Sequence, residues 1–325
     1  MRQALVTGAT GTVGHPVARL LAERGVLVRA LVRDPARAVL PPGVEPLAGD
    51  VTDPASLRAA VRGCDAVFHA AGLSEQWLRD RTRFERINVD GTRALVEAAL
   101  AERVGHFVHT STTAVFERPR DVPFDESELV GQPLRTAYER SMQQADRLVT
   151  EAVERGLPAR IVHPAAVFGP GPATATALNR LLVDLARRKV PLLPPGGMAV
   201  VFNEDLAEGQ LAAAQAPAGS RFLFSDRFLE LAELAALVRQ VVPGARVPTT
   251  LASPPAWVYA AAGELTAKFT GRAPQLSFGE LHLLASELTP DARRARIELG
   301  WRPTDPREAV ARTLRAFGVR GAATG

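Results

Sequence analysis

The sequence predicts an α/β fold, a doubly wound parallel sheet with a smaller C-terminal lobe. Short apolar runs alternate with amphipathic stretches of about ten or more residues in the first half of the chain, which is the pattern of parallel strands joined by helices. After Pro164 the segments 169–172 (GPGP) and 194–197 (PPGG) separate less regular helices, which predicts a second lobe. We expect the sheet domain over 1–165, with a return of the chain to it at about 200–225, and mainly a substrate-binding lobe over 166–325.

The strands and helices of the first half follow in order from these runs. Strands are expected over 3–7, 27–32, 44–47, 66–70, 106–110 and 159–163, and helices over 12–24, 54–62, 82–103 and 137–155. The dipeptides Asp34-Pro35 and Asp53-Pro54 mark helix starts, because aspartate caps a helix whose first residue is proline. We therefore interpret both aspartates as structural.

Composition and charge exclude several classes of protein. A chain of 325 residues with 46% hydrophobic and 23% charged positions can bury a sizeable core and is not disordered. Its 39 basic and 35 acidic residues alternate along the chain, which provides no basic patch for nucleic acid. No apolar stretch approaches the roughly 18 residues of a membrane span. The expected partner is a small molecule, neither nucleic acid nor membrane, and the oligomeric state is open, with a homodimer as one outcome.

The cysteine and histidine content bears on compartment and metal binding. Cys64 is the only cysteine, so the chain forms no internal disulfide and no thiolate cluster, which fits a reducing compartment and predicts the cytoplasm. The 6 histidines lack the spacing of metal ligands. We expect no metal site.

The sharpest local signal is the segment 7–14 (TGATGTVG), which follows the first strand and opens the first helix. Glycines at this spacing allow a tight turn, a close backbone approach to a pyrophosphate and close packing of helix on strand, while the helix N-terminus offers unpaired N–H groups. The segment therefore predicts a Rossmann-type dinucleotide site. The expected cofactor-binding residues in it are Gly8, Thr10, Gly11, Thr12, Val13 and Gly14.

The end of the second strand predicts which dinucleotide binds. An NAD site has an acidic residue there for the ribose 2′-hydroxyl, whereas arginine suits the 2′-phosphate of NADP(H). Val32 stands at the acidic position, Arg33 follows it, and Arg37 lies one helical turn further on. We expect NADP(H), bound by Arg33 and Arg37. The alternative is that Arg33 is a solvated loop residue and that Asp34 contacts the ribose.

Further motifs occur in order along the chain, namely 49–51 (GDV), 69–72 (HAAG), 88–92 (NVDGT), 163–171 (HPAAVFGPG), 202–207 (FNEDLA) and 298–303 (ELGWRP). With the glycine segment they resemble the extended short-chain dehydrogenase/reductase family, above all its dihydroflavonol-reductase-like and NAD-dependent epimerase/dehydratase members. The resemblance implies that Asp50 contacts the adenine and that Asn88 bends a helix. It also implies a cofactor lining of Val51, Ala70, Ala71, Gly72, Thr110, Pro164 and Val167.

The reaction of that family uses a serine or threonine, a tyrosine, and a lysine four residues after the tyrosine. By resemblance the first hydroxyl lies in 110–113 (TSTT), where alignment of the next three residues selects Thr112, with Ser111 as the alternative. Tyr138 is the expected tyrosine. Met142 occupies the position of the lysine.

This methionine changes the chemistry that Thr112 and Tyr138 can perform. Residues i and i+4 share a helix face, so a lysine in place of Met142 would lie beside the phenol and lower its pKa. Without a lysine the pKa of Tyr138 stays at about 10, and a phenolate at pH 7 costs about 4 kcal/mol. A neutral phenol can still donate a proton to a carbonyl oxygen. The sequence therefore predicts a one-way ketone reductase.

The substrate is predicted only as a class. Side chains that the resemblance places around it are Trp77, Phe84, Phe116, Phe124, Phe168, Met198 and Trp257. Each also fits ordinary packing, but together they predict an apolar or aromatic pocket. We expect an NADPH-dependent ketoreductase that acts on a polyketide or phenolic secondary metabolite. Two alternatives stay open, a nucleotide-sugar epimerase or dehydratase and a non-catalytic NADP(H)-binding protein. His163 either approaches the nicotinamide ribose or packs at its strand end.

Overall fold

The computed structural model describes residues 1–75, 77–118, 122–172, 176–271, 273–274, 276–286 and 288–321. Strands and helices alternate through the first half of the chain, as the sequence predicts. The strands are β1 (Gln3–Thr7), β2 (Leu27–Val32), β3 (Val44–Ala48), β4 (Ala66–His69), β5 (His106–Thr110), β6 (Ala159–Pro164), β7 (Ala166–Phe168), β8 (Leu192–Leu193), β9 (Gly197–Phe202), β10 (Arg221–Phe224), β11 (Arg227–Glu230) and β12 (Thr249–Thr250). The helices are α1 (Gly14–Glu23), α2 (Pro54–Val61), α3 (Thr82–Phe84), α4 (Gly91–Ala101), α5 (Ala137–Glu154), α6 (Ala177–Ala186), α7 (Asn203–Ala213), α8 (Leu231–Val241), α9 (Ser253–Thr270), α10 (Phe278–Ala285), α11 (Arg293–Glu298) and α12 (Pro306–Ala316).

The large sheet has 7 strands in the order β10-β6-β5-β4-β1-β2-β3, and each neighbouring pair runs parallel. The strand order reverses between β1 and β4, because β2 and β3 extend to one side and β5 and β6 to the other. In open parallel sheets ligands bind outside the carboxyl ends of the strands at such a reversal. The loops after β1 and β4 therefore border the candidate site.

Helices cover both faces of this sheet, which confirms the doubly wound fold. Phe68 on β4 is fully buried in a core that α1 and α7 complete. Phe107 on β5 is fully buried on the opposite face, under α2, α4 and α5. Both faces of the central strands are apolar because neither face meets water.

The second half of the chain builds a smaller sheet, in which β9 pairs parallel with β7 and antiparallel with β11. A further apolar core joins β9 to α6, α8 and α12. Between these elements β10 returns the chain to the edge of the large sheet, where it pairs with β6.

Two predicted helices differ from the structure. Asp34 accepts a hydrogen bond from the Ala36 amide at 3.1 Å, but 35–37 form only a turn, so the predicted helix start at Asp34-Pro35 is wrong. Pro41 and Pro42 lack the amide hydrogens that a helix needs, which leaves no room for one before β3. The predicted helix 82–103 is three elements, α3, a π-helical segment (Glu85–Asp90) and α4.

The other helix start is confirmed. Asp53 accepts a hydrogen bond from the Ala55 amide at 3.0 Å, and Pro54 is the first residue of α2.

In the described ranges, no helix has the length and apolar character to cross a membrane. The same ranges contain no group of three or more potential ligands that could hold a metal ion.

Candidate active site

The loop after β1 packs against the end of β4 through glycine. Gly8 has a φ of +74°, and a Cβ built on it would lie 2.6 Å from the backbone of Ala70. A Cβ on Gly14 would collide with the Gly8 carbonyl, and the Gly11 amide donates to that carbonyl at 2.9 Å. No side chain fits at Gly8 or Gly14, so the backbone forms the close cradle that a dinucleotide pyrophosphate needs.

The N-terminus of α1 faces this cradle. Val13 precedes the helix without a side-chain cap, and the first turn of the helix has no acidic residue. Its N–H groups and the positive end of its dipole can therefore receive an anion. Thr10 and Val13 are half-buried in the loop and Thr12 is buried. The residues predicted in 7–14 thus lie together, and the site fits a dinucleotide.

A buried chain of hydrogen bonds supports the segment after β4. Thr92 donates to the Asn88 carbonyl at 2.6 Å, so its oxygen accepts from Nε2 of His69 at 2.9 Å. Nδ1 of His69 then accepts from the Thr7 hydroxyl at 2.8 Å, and the Thr7 oxygen accepts from the Ala71 amide at 3.2 Å. Burial lowers the pKa of His69 to about 4, which keeps the ring neutral and the direction of the chain fixed.

Asn88 connects the same segment to the start of α5. Its Oδ1 accepts from the Leu73 amide at 2.8 Å, and its Nδ2 donates to the Leu73 carbonyl at 3.1 Å and to the Ser141 hydroxyl at 2.9 Å. Ser141 donates to the Tyr138 carbonyl at 2.7 Å. Asn88 lies in the π-helical segment, in agreement with the bend that the family resemblance implies. The wider turn directs its amide to both neighbours.

The structure brings Thr112 and Tyr138 together. Thr112 follows β5, and its side chain lies close enough to Tyr138 to lower the pKa of the phenol. Tyr138 lies in the first turn of α5, which a capping box between Thr136 and Glu139 begins, with both hydrogen bonds at 3.0 Å. Ser111, the alternative to Thr112, donates instead to Asp146 at 2.7 Å. Thr112 is therefore the hydroxyl next to the phenol.

The surroundings of Tyr138 favour the protonated phenol. Burial raises its pKa, the hydrogen bond from Thr112 opposes that rise, and the carboxylates of Glu139 and Glu75 add to it. Met142 is 8% exposed on the next turn of α5 and supplies no positive charge. The pKa of Tyr138 is therefore above its ordinary value, whereas the sequence predicted that it stays at that value, because burial and the two carboxylates act in addition to the missing lysine. Glu75 had no signal in the sequence.

Arginines surround the end of β2 and Asp50. Burial raises the pKa of Asp50, but hydrogen bonds from Thr52 and the charges of Arg33 and Arg86 bring it below its ordinary value. Thr52 donates to Asp50 through its amide and its hydroxyl, both at 2.8 Å. Arg33 and Arg37 are exposed and available to a ligand. Arg86 was not predicted, although it stands two residues before Asn88 of a recognised motif.

Asn203 brings a distant loop against the glycine loop. It is the first residue of α7, and its Nδ2 donates to the Thr12 carbonyl at 2.9 Å and to the Pro170 carbonyl at 2.7 Å. Gly169 has a φ of +145° and lies directly against the Asn203 amide, where a Cβ has no space. Asn203 was not among the predicted site residues, although it belongs to a recognised motif.

The remaining predicted cofactor residues occupy the carboxyl ends of neighbouring strands. Val51 lies three residues after Ala48, which ends β3. Thr110 ends β5 and Pro164 ends β6. Val167 is half-buried in β7, and Gly72 is exposed next to Asn88, whose Oδ1 would lie 3.3 Å from a Cβ on Gly72. Their arrangement along one edge of the sheet is the arrangement of a dinucleotide site.

His163 and several predicted pocket residues belong to the core. His163 is fully buried, and its ring packs at 4.6 Å from that of Phe116, so it takes the packed alternative. Phe116 and Phe124 share a small buried cluster with Leu223, and Phe168 packs on Phe202 in the lobe.

Of the predicted pocket residues, Phe84 is the one beside the phenol. Its ring centroid lies 6.3 Å from that of Tyr138. Trp257 stacks on Phe278 at 5.9 Å, while Trp77 and Met198 are half-buried. Phe84 is itself buried, with 3% of its surface exposed, so it packs against Tyr138, and the structure assigns it to packing together with Phe116, Phe124 and Phe168.

Comparison with known proteins agrees with this geometry. Residues 4–222 match the model of the NAD dependent epimerase/dehydratase family. The chain belongs to this family. It is also 30% identical over 331 residues to a Synechocystis protein provisionally named dihydroflavonol 4-reductase, with 97% of this chain and 94% of the relative covered. These findings confirm the resemblance inferred from the motifs.

Two further comparisons concern activity and fold. A Stigmatella aurantiaca protein, 30% identical over 91% of this chain and 90% of its own, is named 4-hydroxy-2-methyl-3-oxo-4-farnesyl-3,4-dihydroquinoline-1-oxide ketoreductase. The crystal structure of gox2253 superposes with a TM-score of 0.81, at 30% identity and 100% coverage of both chains. The protein is thus an oxidoreductase of the epimerase/reductase group with a Rossmann-type fold.

Proposed function

We propose that this protein is an NADPH-dependent ketoreductase for a small apolar or aromatic secondary metabolite of polyketide or phenolic type. The observation that carries the proposal is the state of Tyr138. Its phenol has a raised pKa, contacts Thr112, and has Met142 where a lysine would activate it as a base. Such a group is an acid at neutral pH.

The proposed chemistry follows from these residues. A dinucleotide held by the glycine loop and by the arginines near β2 would supply a hydride for the carbonyl carbon. Thr112 and Tyr138 hold the carbonyl oxygen through their hydroxyl groups, and the Tyr138 phenol donates its proton as negative charge develops on that oxygen. The product is an alcohol, and the phenolate regains its proton from solvent. Phe84 packs beside the phenol and is itself buried.

The reverse direction and the epimerase alternative start from a less favourable state. Both begin with oxidation of an alcohol, which requires a phenolate to accept the hydroxyl proton. At pH 7 the phenolate costs about 4 kcal/mol even for an ordinary phenol, and burial of Tyr138 adds to that cost. Reduction starts from the protonated phenol, which is the form populated at pH 7, and solvent reprotonates the phenolate that it leaves, so the resting site is ready for carbonyl reduction.

The preference for NADPH rests on the arginines near β2. Arg33 and Arg37 are exposed where a 2′-phosphate would lie, and Arg33 and Arg86 both act on the Asp50 carboxylate. Guanidinium groups bind phosphate through paired hydrogen bonds. Since Cys64 is the only cysteine, a reducing compartment fits, and we place the reaction in the cytoplasm.

The names of two relatives support the substrate class. One is a ketoreductase that acts on a farnesylated 3-oxo quinoline oxide, and the other is provisionally a dihydroflavonol reductase. Both names describe a ketone in a largely apolar, ring-containing molecule.

The test measures NADPH oxidation at pH 7 with a panel of bicyclic aromatic ketones. The same measurement with NADH in place of NADPH is the matched comparison. We expect turnover with NADPH, weaker turnover with NADH, and about 100-fold slower reduction by Tyr138→Phe. Turnover of a nucleotide sugar with no net change in cofactor would instead establish the epimerase. NADPH binding without reduction of any ketone would establish a non-catalytic protein.

A further inference from the structure

A buried hydrogen-bonded ring lies beneath Thr112 and Tyr138. Asp146 on α5 accepts from the Ser111 hydroxyl through Oδ2 at 2.7 Å and pairs with Arg221 on β10 through Oδ1 at 2.8 Å. Arg221 also reaches Nε2 of His163 at 3.3 Å, and Nδ1 of His163 lies 3.2 Å from the Thr112 carbonyl. Because Ser111 and Thr112 are consecutive, these contacts close into a ring.

The direction of each hydrogen bond in the ring is determined. A guanidinium only donates, so Nε2 of His163 accepts from Arg221 and Nδ1 must donate to the Thr112 carbonyl. Burial lowers the pKa of His163 well below its ordinary value, and the neighbouring Arg221 lowers it further. The neutral tautomer required by the ring is therefore the stable one.

The ring joins the two elements that carry the reacting hydroxyls. Tyr138, Met142 and Asp146 are spaced four residues apart and share the face of α5 that meets the sheet. Asp146 is 2% exposed, Ser111 4% and His163 0%. The ring therefore connects α5, at a point two turns after Tyr138, to the Ser111 side chain and to the Thr112 carbonyl.

The cost of burying these charges indicates a role other than stability. A buried ion pair seldom stabilises a fold more than apolar side chains of the same size would. A closed ring does, however, restrict the relative position of the groups it joins. In a site without the lysine, the contact between Thr112 and Tyr138 depends on how well α5 and β5 are held.

We propose that Asp146, with Arg221, is a positioning residue that keeps Tyr138 in register with Thr112. This inference rests on the proposed function for its kinetic consequence, but its structural consequence is independent of activity. Displacement of a catalytic group by about 1 Å costs on the order of 100-fold in rate. Loss of the ring is expected to lower kcat without weakening NADPH binding, because none of the hydrogen bonds of the ring is made by a predicted cofactor residue.

The test replaces the ion pair by apolar side chains of similar size, in Asp146→Leu/Arg221→Met. We expect kcat to fall about 10-fold to 100-fold, with the Kd for NADPH within about twofold of the parent. Thr150→Val is the matched control, because Thr150 receives a hydrogen bond from Arg221 at 2.6 Å but lies outside the ring. If the double variant does not fold, Ser111→Ala opens the ring at one bond, and Ser111→Thr is its conservative partner.

A second readout separates this proposal from the proposed function. Tyr138 and Tyr259 are the only tyrosines, so in a Tyr259→Phe background ¹³C-labelled tyrosine gives one ring signal. Loss of the ring should shift that signal and change its titration, while Thr150→Val should leave both unchanged. A folded ring variant with unchanged kcat and unchanged signal overturns the proposal. If the parent reduces no ketone, the proposed function fails, and the ring signal of Tyr138 alone tests the positioning role. A shift of that signal in the ring variant would support the role, and an unchanged signal would overturn it.

Discussion

At the scale of single residues, one phenol decides the direction of the chemistry. Burial and the nearby carboxylates of Glu139 and Glu75 raise the pKa of Tyr138, and only the hydrogen bond from Thr112 opposes them. The residue one turn away, Met142, is buried and uncharged. The site thus lacks the cation that would make the phenol a base, while it keeps the hydroxyls that make it an acid.

Restoring the charge should shift the pH range over which the phenol titrates. A cation close to an ionisable group shifts its pKa by about 1 to 3 units, so Met142→Lys should lower the pKa of Tyr138 and move the pH at which alcohol oxidation levels off down by about 1 to 3 units. The equilibrium constant at a fixed pH does not depend on the enzyme, so kcat/KM for oxidation and for reduction should change by the same factor. Rate profiles in both directions measure this, with Met142→Leu as the uncharged control. An oxidation profile that Met142→Lys leaves unchanged would contradict the account of Tyr138.

The pH dependence of the two rates in the parent protein should follow from the same protonated phenol. The phenol is protonated below its pKa, and that pKa lies above the ordinary value of about 10. Reduction should therefore be level from about pH 6 to 9, whereas oxidation should rise by about tenfold per pH unit over that range. Rate profiles at saturating cofactor test this. A plateau in oxidation near pH 7 would show that another group accepts the proton.

Removing Arg33 should affect one cofactor and spare the other. Hydrogen bonds to charged groups contribute about 1.5 to 3 kcal/mol, so Arg33→Ala should raise the Kd for NADPH by about tenfold or more and leave the Kd for NADH unchanged. Arg62→Ala is the control, since Arg62 is an exposed arginine that comes after α2, outside the site. Fluorescence titration measures both constants. An equal loss for NADPH and NADH would exclude a 2′-phosphate contact.

At the scale of elements, two Asp-Pro pairs show why a local motif alone does not make a helix. Asp53 caps α2 and Asp34 caps only a turn, although each aspartate accepts a hydrogen bond from the amide two residues on. The difference lies in the residues on the C-terminal side of each pair. An apolar periodicity continues after Pro54, whereas Pro41 and Pro42 stop any helix after Pro35.

This pair provides a matched test of capping. Asp53→Ala should lower the free energy of unfolding by about 1 kcal/mol, because the first N–H groups of α2 lose their acceptor. Asp34→Ala should cost only a few tenths of a kcal/mol, because no helix depends on it. Urea unfolding at pH 7 measures both values. Equal losses would mean that the turn after β2 contributes as much stability as the helix start.

At the scale of the whole molecule, patterns along the chain predict the sheet and the cofactor loop but not the contacts between distant segments. The bounds of β1, β2 and β5 match their apolar runs, and the glycine spacing gives the turn at Gly8. The family resemblance implied a bend at Asn88 but not its contacts with Leu73 and Ser141, because these residues are distant in the sequence.

The contacts between buried polar groups could not be predicted from local sequence patterns either. Asp146 and Arg221 lie on α5 and β10, far apart in the sequence, and meet only because β10 returns to the edge of the sheet beside β6. Thr112 was selected over Ser111 by resemblance, and the structure gives the physical reason: adjacent residues point to opposite sides, so one hydroxyl faces Tyr138 and the other faces Asp146.

The buried histidines link the fold to pH. Burial lowers the pKa of His109 to about 3, so between that value and the ordinary 6.5 the unfolded chain binds a proton that the folded protein does not. Stability therefore falls as pH falls through this window, by about 2 kcal/mol for His109 alone between pH 7 and pH 5. His69 adds a loss of the same sign, since its pKa is about 4.

His109→Leu isolates this effect. Among the residues that the structure describes, neither ring nitrogen of His109 has a hydrogen-bond partner, so leucine removes no bond and leaves an apolar group in a buried position. The variant should be at least as stable as the parent at pH 7 and more stable by about 2 kcal/mol at pH 5. Urea unfolding at both pH values measures the difference. A variant that loses stability equally at pH 7 and pH 5 would show that the pKa of His109 is not lowered in the folded protein.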